Sequence, residues 1–164
     1  MSTRAQLVLA LIGVVVLAYL LMRSGMRRRI ASQAAIAVPA PLVGATPVAG
    51  PWEGKYLGAT HAGRWLDRID AHELGQRSLV QVTRTRDGVD VRREGARSFS
   101  IPAADLVAVR ADKAIAGRAY EDGGIVVLTF RLGETPVDIG FRFPSTEDHI
   151  AALAALATPT EVTP

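Results

Sequence analysis

The chain has 164 residues, 49% of them hydrophobic, with nineteen basic and sixteen acidic side chains and no cysteine. The absence of cysteine excludes a disulfide scaffold, a thiol nucleophile and any thiolate metal site. Residues 1–51 hold five arginines and no acid, whereas residues 52–157 hold fourteen basic and fifteen acidic side chains, so the net charge of +3 makes no case for a nucleic-acid partner.

After a short end, residues 1–4, the stretch 5–22 contains no charged side chain. As a helix it would run roughly 27 Å against a hydrocarbon core of about 30 Å, which is one transmembrane span. A cleaved signal peptide places its basic residues before the apolar run. Here Arg23, Arg27, Arg28 and Arg29 follow it and only Arg4 precedes it. The positive flank predicts an uncleaved single-pass anchor in the cell membrane, with the N-terminus outside and the rest cytoplasmic. A cleaved, exported chain is the alternative. In the first reading the lipid bilayer is a partner through residues 5–22, and the arginines of the basic juxtamembrane segment 23–35 meet anionic head groups.

Residues 36–51 read IAVPAPLVGATPVAGP, with four prolines and two glycines. That composition predicts a tether of roughly 50 Å when extended, leaving a folded domain over 52–157 and a disordered tail over 158–164. Within the domain the main period is two. Val80 and Val82 alternate with Gln81 and Thr83, and Asp87-Gly88 offers a tight turn into Val89–Arg92. Phe99 and Ile101 form a further strand that Pro102 stops, and Leu106–Arg110 resumes after a short turn. Ile125–Leu132 is apolar on both faces, as a central strand is, and Val137, Ile139, Phe141 and Phe143 form a clean stripe with Asp138, Gly140 and Arg142 facing away. Helical period appears only at the end. Ser145 is placed to cap, and Ile150, Leu153, Ala154 and Ala157 mark one face. The expected fold is mainly β: six or seven antiparallel strands in a small barrel or sandwich, closed by one C-terminal α-helix.

Tyr56, Gly58-Ala59-Thr60, Gly63, Trp65-Leu66-Asp67-Arg68-Ile69, Ala71-His72 and Leu74-Gly75 carry a family likeness. So do Ile101-Pro102-Ala103, Val109-Arg110, Ala116-Gly117, Asp138 and Gly140-Phe141-Arg142. Together they resemble small actinobacterial single-pass membrane proteins with a pleckstrin-homology-like (PH-like) domain, often labelled export, transporter or membrane proteins. The resemblance spans nearly the whole chain and implies a PH-like barrel and a membrane location. It implies no transport mechanism, because a single span cannot by itself form a solute path. Glu73 stands where the resemblance would place glycine.

No catalytic constellation emerges. His72-Glu73-Leu74-Gly75-Gln76 imitates the start of a zinc-protease helix but has Gln76 at the second ligand position, and His61, His72 and His149 fall in no catalytic spacing. No nucleophile elbow, phosphate-binding loop or dinucleotide fingerprint occurs, so no enzyme, metal or cofactor is expected. Arg84, Arg86, Arg92, Arg93 and Arg97 lie on one predicted hairpin and are the candidate anionic-ligand residues, since several guanidinium groups can chelate phosphate oxygens. Asp87, Asp90 and Glu94 lie among them and dilute the field. The expected function is therefore a membrane-anchored, non-catalytic adaptor module that holds an unknown cytosolic protein at the membrane. An anionic-lipid sensor built on the arginine hairpin is the alternative.

Overall fold

The structure, a computed structural model, describes the backbone of residues 3–33 and 35–157; within the first helix it describes the side chains of residues 11–25. The chain divides into two compact units, Met1–Ala35 and Ile36–Pro164.

The first unit is the helix α1 (Thr3–Ser32). Its described residues are exposed throughout, and the large apolar ones from Leu11 to Met22 point in every direction around the axis. Among the described residues no helix is long and apolar enough to cross a membrane. The uncharged stretch of the sequence, 5–22, extends beyond the described side chains. Arg23 is exposed, whereas the side chains of Arg27, Arg28 and Arg29 lie outside the described residues, as does the tail 158–164.

The second unit is built of short antiparallel strands: β1 (Ala40–Pro41), β2 (Pro47–His61), β3 (Arg68–Ile69), β4 (Ser78–Thr85), β5 (Gly88–Arg93), β6 (Phe99–Pro102) and β7 (Leu106–Asp112), then β8 (Ala114–Ile115), β9 (Arg118–Ala119), β10 (Ile125–Leu132) and β11 (Thr135–Arg142). The helix α2 (Thr146–Ala157) follows. The main sheet has the order β1-β6-β5-β4-β2-β11-β10-β7, with β3 added beside β2; β8 and β9 form a separate hairpin. Strand β2 joins the two halves by pairing with β4 through residues 47–56 and with β11 through residues 55–61. The sheet rolls around one core. Phe99 of β6 stacks on Phe130 of β10, ring centroids 6.5 Å apart, although these strands are far apart in the sheet order, and Tyr56 packs edge-on against both Phe99 and Phe141.

A register shift on β2 opposes Gly58 to Gly140 and Tyr56 to Phe141, leaving Leu57 unmatched. This bulge turns Leu57 out of the main core into a second apolar cluster with Ile115, Ala116, Ile125 and Val127 on the outer face. The paired glycines make room for the β8–β9 hairpin. A Cβ on Gly140 would come within 2.7 Å of Ile115, and one on Gly58 within 3.1 Å of Ala116. Ala116 and Gly117 both take positive φ at the tip of that hairpin, as a tight primed turn requires.

Three expectations need correction. Residues 36–51 are not a free tether: Ile36 is buried in the main core, Ala40–Pro41 pairs with β6, and Pro47–Pro51 opens strand β2. The domain therefore begins before residue 52. Prolines are tolerated there because this part of β2 has a neighbour on one side only and its register shifts around Ala49, positions that lose no ladder bond to a missing N–H. The strands also exceed the expected six or seven, since β2 alternates too weakly to be read and β1, β3, β8 and β9 are only two residues long. On α2, Ser145 caps as expected, accepting from the N–H groups of Glu147 (3.1 Å) and Asp148 (3.3 Å). The buried face, however, is Ala152 and Leu156, and Ile150 is exposed. Residues 150–157 are all Ile, Ala or Leu, so two phases of a 3.6-residue period fit the sequence equally well.

Candidate functional site

The five candidate arginines of the β4–β5 hairpin and the turn after it do not converge. Along a strand, alternate side chains take opposite faces. Arg84 follows Val80 and Val82 on the core face of β4, and Arg93 follows Val89 and Val91 on that of β5. Both are buried. Arg84 donates to the Gly88 carbonyl at 3.2 Å. The Arg93 guanidinium lies 4.1 Å from the Tyr56 ring centroid and donates to the carbonyls of Glu73 and Gln76 and to Ser78 Oγ. Burial pushes both guanidinium groups below their ordinary range, with Tyr56 and Glu73 opposing the shift at Arg93. Burial likewise drives the Tyr56 phenol upward against the nearby Arg93, and its hydroxyl donates to the Leu74 carbonyl at 2.9 Å. Only Arg86, Arg92 and Arg97 of the five face solvent. Arg84 and Arg93 are bracing groups held by internal partners, and of the five only Arg92 and Arg93 come together at a cavity, which lies between β2, β4, β5 and the end of β11.

Many residues behind the family likeness prove to brace the loop between β2 and β4. Asp138 is buried and accepts from Arg110 (2.8 Å), Thr129 Oγ1 (2.5 Å) and the Gly63 N–H (3.0 Å), which clamps the loop onto β7, β10 and β11. Burial alone would raise the Asp138 carboxyl, but these hydrogen bonds and the Arg110 charge outweigh it and hold the group below its usual range. Arg110 is raised in turn, chiefly by its hydrogen bond to Asp138. Arg68 donates to the Gly75 carbonyl at 2.8 Å, and His72 Nε2 lies 2.8 Å from the Ile36 carbonyl oxygen. Glu73 has a φ of 65°, which is the left-handed region where glycine is favoured, and its carboxylate accepts from the Arg97 N–H at 2.6 Å. Among the described residues no group of three His, Asp or Glu side chains could hold a metal ion.

A concave surface lies where β2 passes from β4 to β11, of mixed charge at one end, where Glu53 and Glu94 line it, and basic at the other. Two adjoining cavities of about 520 and 480 Å³ share Lys55, Leu79 and Arg142 as lining. Lys55 stands directly opposite Leu79 on β4 and Arg142 on β11, so a lysine and an arginine sit side by side on one face. Tyr120 gathers two more contacts. Arg77 donates to its hydroxyl at 2.6 Å, and the Arg142 guanidinium lies 5.4 Å from its ring centroid while pairing with Glu121 at 2.7 Å. Arg118 completes the rim of the second cavity, and Leu79 is 53% exposed between the two. Residue-by-residue inspection of the sequence misses this cluster because Lys55, Arg77, Arg118 and Arg142 are scattered along the chain. Only the outward phase of Arg142, between Phe141 and Phe143, hints at it.

Comparison with known proteins bears on what such a surface serves. No curated protein matches the chain significantly. A family profile described as bacterial PH domain-like matches residues 32–157, a span that includes the N-terminal segment folded onto the barrel. Domains of this type are typically binding modules without catalysis. On that match, and on a rolled antiparallel sheet closed by a C-terminal helix, the chain belongs to the bacterial PH domain-like family.

Proposed function

We propose that the protein is a non-catalytic adaptor, anchored in the cell membrane through residues 5–22 with its N-terminus outside, whose PH-like domain holds a cytosolic protein partner at the membrane. The observation that carries this reading is the concave outer-face groove around Lys55, Leu79 and Arg142, which mixes cationic and apolar lining as protein-docking surfaces do. The anchor is supported by the uncharged run 5–22 with Arg23 after it, and by a helix whose described apolar residues are exposed on every side. Such a surface has no favourable place in water. The lipid-sensing alternative rests on fewer groups, since two of the five hairpin arginines are internal and three are exposed. Tethering raises the local concentration of a bound partner, an advantage that a second weak lipid contact would add little to.

Fractionation of cells with and without the gene tests the reading. We expect at least one soluble cytosolic protein to leave the membrane fraction on deletion and to return with the full-length chain, but not with a chain lacking residues 1–22. A phosphatase fusion after Pro164 that is active outside the cell, or a membrane proteome unchanged by deletion, would contradict it.

A further inference from the structure

The groove's chemistry narrows the partner. Lys55, Arg77, Arg118 and Arg142 surround the second cavity, and among the described residues Glu121 is the one carboxylate paired with any of them. Lys55 and Arg142 occupy directly opposite positions on paired strands, an arrangement that costs stability for like charges unless an anion sits nearby. Neither Lys55 nor Arg118 has an acidic partner among the described residues. The Arg142–Glu121 pair, held over the Tyr120 ring, is the groove's own example of how it seats a carboxylate. The adjoining cavity adds Phe143 and Pro144 as apolar lining, and there Arg92 and Arg93 are offset by the carboxylates Glu53 and Glu94, so the excess of positive charge lies in the second cavity. A flat bilayer does not enter a recess of this kind, and an isolated phosphate leaves its apolar half unfilled.

We infer that the groove between β2, β4 and the segment around Tyr120 takes an acidic protein segment, whose carboxylates meet Lys55, Arg77, Arg118 and Arg142 and whose apolar side chain lies against Leu79. This inference rests on the adaptor reading and adds the chemistry of the partner to it.

The test uses the full chain in nanodiscs of neutral phosphatidylcholine, with a fluorescent peptide alternating glutamate and leucine as probe and anisotropy as readout. Saturable binding is expected, weakened about tenfold or more in Lys55→Gln/Arg142→Gln and unchanged in Arg86→Gln, whose side chain lies away from the groove. Arg118→Gln, at an exposed position on the short β9, serves as a second variant whose folding is not in doubt, and melting curves accompany all three. Absence of peptide binding, equal loss in Arg86→Gln, or full binding by the groove variants would overturn the inference. So would a result in which phosphatidylglycerol nanodiscs, and not the peptide, engage the same four side chains. Failure here with a cytosolic protein still recruited in cells would sink the groove assignment alone; peptide binding without recruitment would sink the adaptor reading instead.

Discussion

Arg92 and Arg93 are neighbours in sequence with opposite fates, because β5 turns one outward and the other under the Tyr56 ring. Arg93→Met takes the guanidinium donor from the Gln76 carbonyl and leaves the Glu73 carbonyl only the Gln76 N–H, and we expect a loss of about 3 kcal/mol in unfolding free energy, against less than about 0.5 kcal/mol for Arg92→Met. Equal melting temperatures for the two variants would contradict the assigned phase. Asp138 gives a pH dependence of definite sign. Its folded value lies below the unfolded one, so the stabilisation is complete above the ordinary carboxylate range and is lost as pH falls through the folded value. The full chain should lose thermal stability steeply below about pH 4, and Asp138→Asn should flatten that limb while costing about 2 kcal/mol near neutrality. Urea unfolding across a pH series checks both. The core-facing stripes Val80 and Val82, and Val137, Ile139, Phe141 and Phe143, were legible from alternation, whereas Arg84, an expected ligand-binding residue in phase with Val80 and Val82, is buried. The partners of Arg93 and Asp138 were not legible, because some are backbone carbonyls and a loop N–H, and the side-chain partners Ser78, Arg110 and Thr129 sit on other strands, so local alternation does not encode them.

At the scale of elements, two small devices hold the outer layer in place. The Gly58–Gly140 pair lets the β8–β9 hairpin lie directly on the sheet, so Gly140→Val should drive its side chain into Ile115 and cost about 3 kcal/mol or more. Calorimetry that finds this variant as stable as the parent would refute the packing. The helix α2 closes the rolled sheet through Ala152 and Leu156. Leu156→Asp should therefore unfold the domain at a far lower temperature, while Ile150→Asp, at an exposed position, should change little. The existence of α2 and its Ser145 cap could be read from sequence, since a capping residue before an apolar run is a local signal. Its phase could not, because alanine and leucine fill nearly every position. Strand β2 escaped for a related reason: its bulge and glycines break the alternation that would have announced it.

For the whole molecule, the main revision concerns reach. With residues 36–51 folded into the domain, the connection between the uncharged run and the barrel is residues 23–35, most of them in α1. The roughly 50 Å that a free proline-rich tether would add is therefore not available. A fragment beginning at Trp52 lacks Ile36, β1 and the opening of β2, and should melt well below one beginning at Gln33. Composition misled here because proline argues against central strands, whereas these prolines lie at strand edges and register shifts. The claim that joins fold to function is that the groove beside Leu79 docks a protein at the membrane. Its most direct measurement is photocrosslinking in living cells from an unnatural amino acid at Leu79 of the full-length chain, with Val107, exposed on β7, as the control position. The account predicts discrete protein adducts from position 79 that disappear in the Lys55→Gln/Arg142→Gln background and are absent from position 107. Adducts of equal pattern at both positions, or adducts at 79 indifferent to the two charge substitutions, would contradict it.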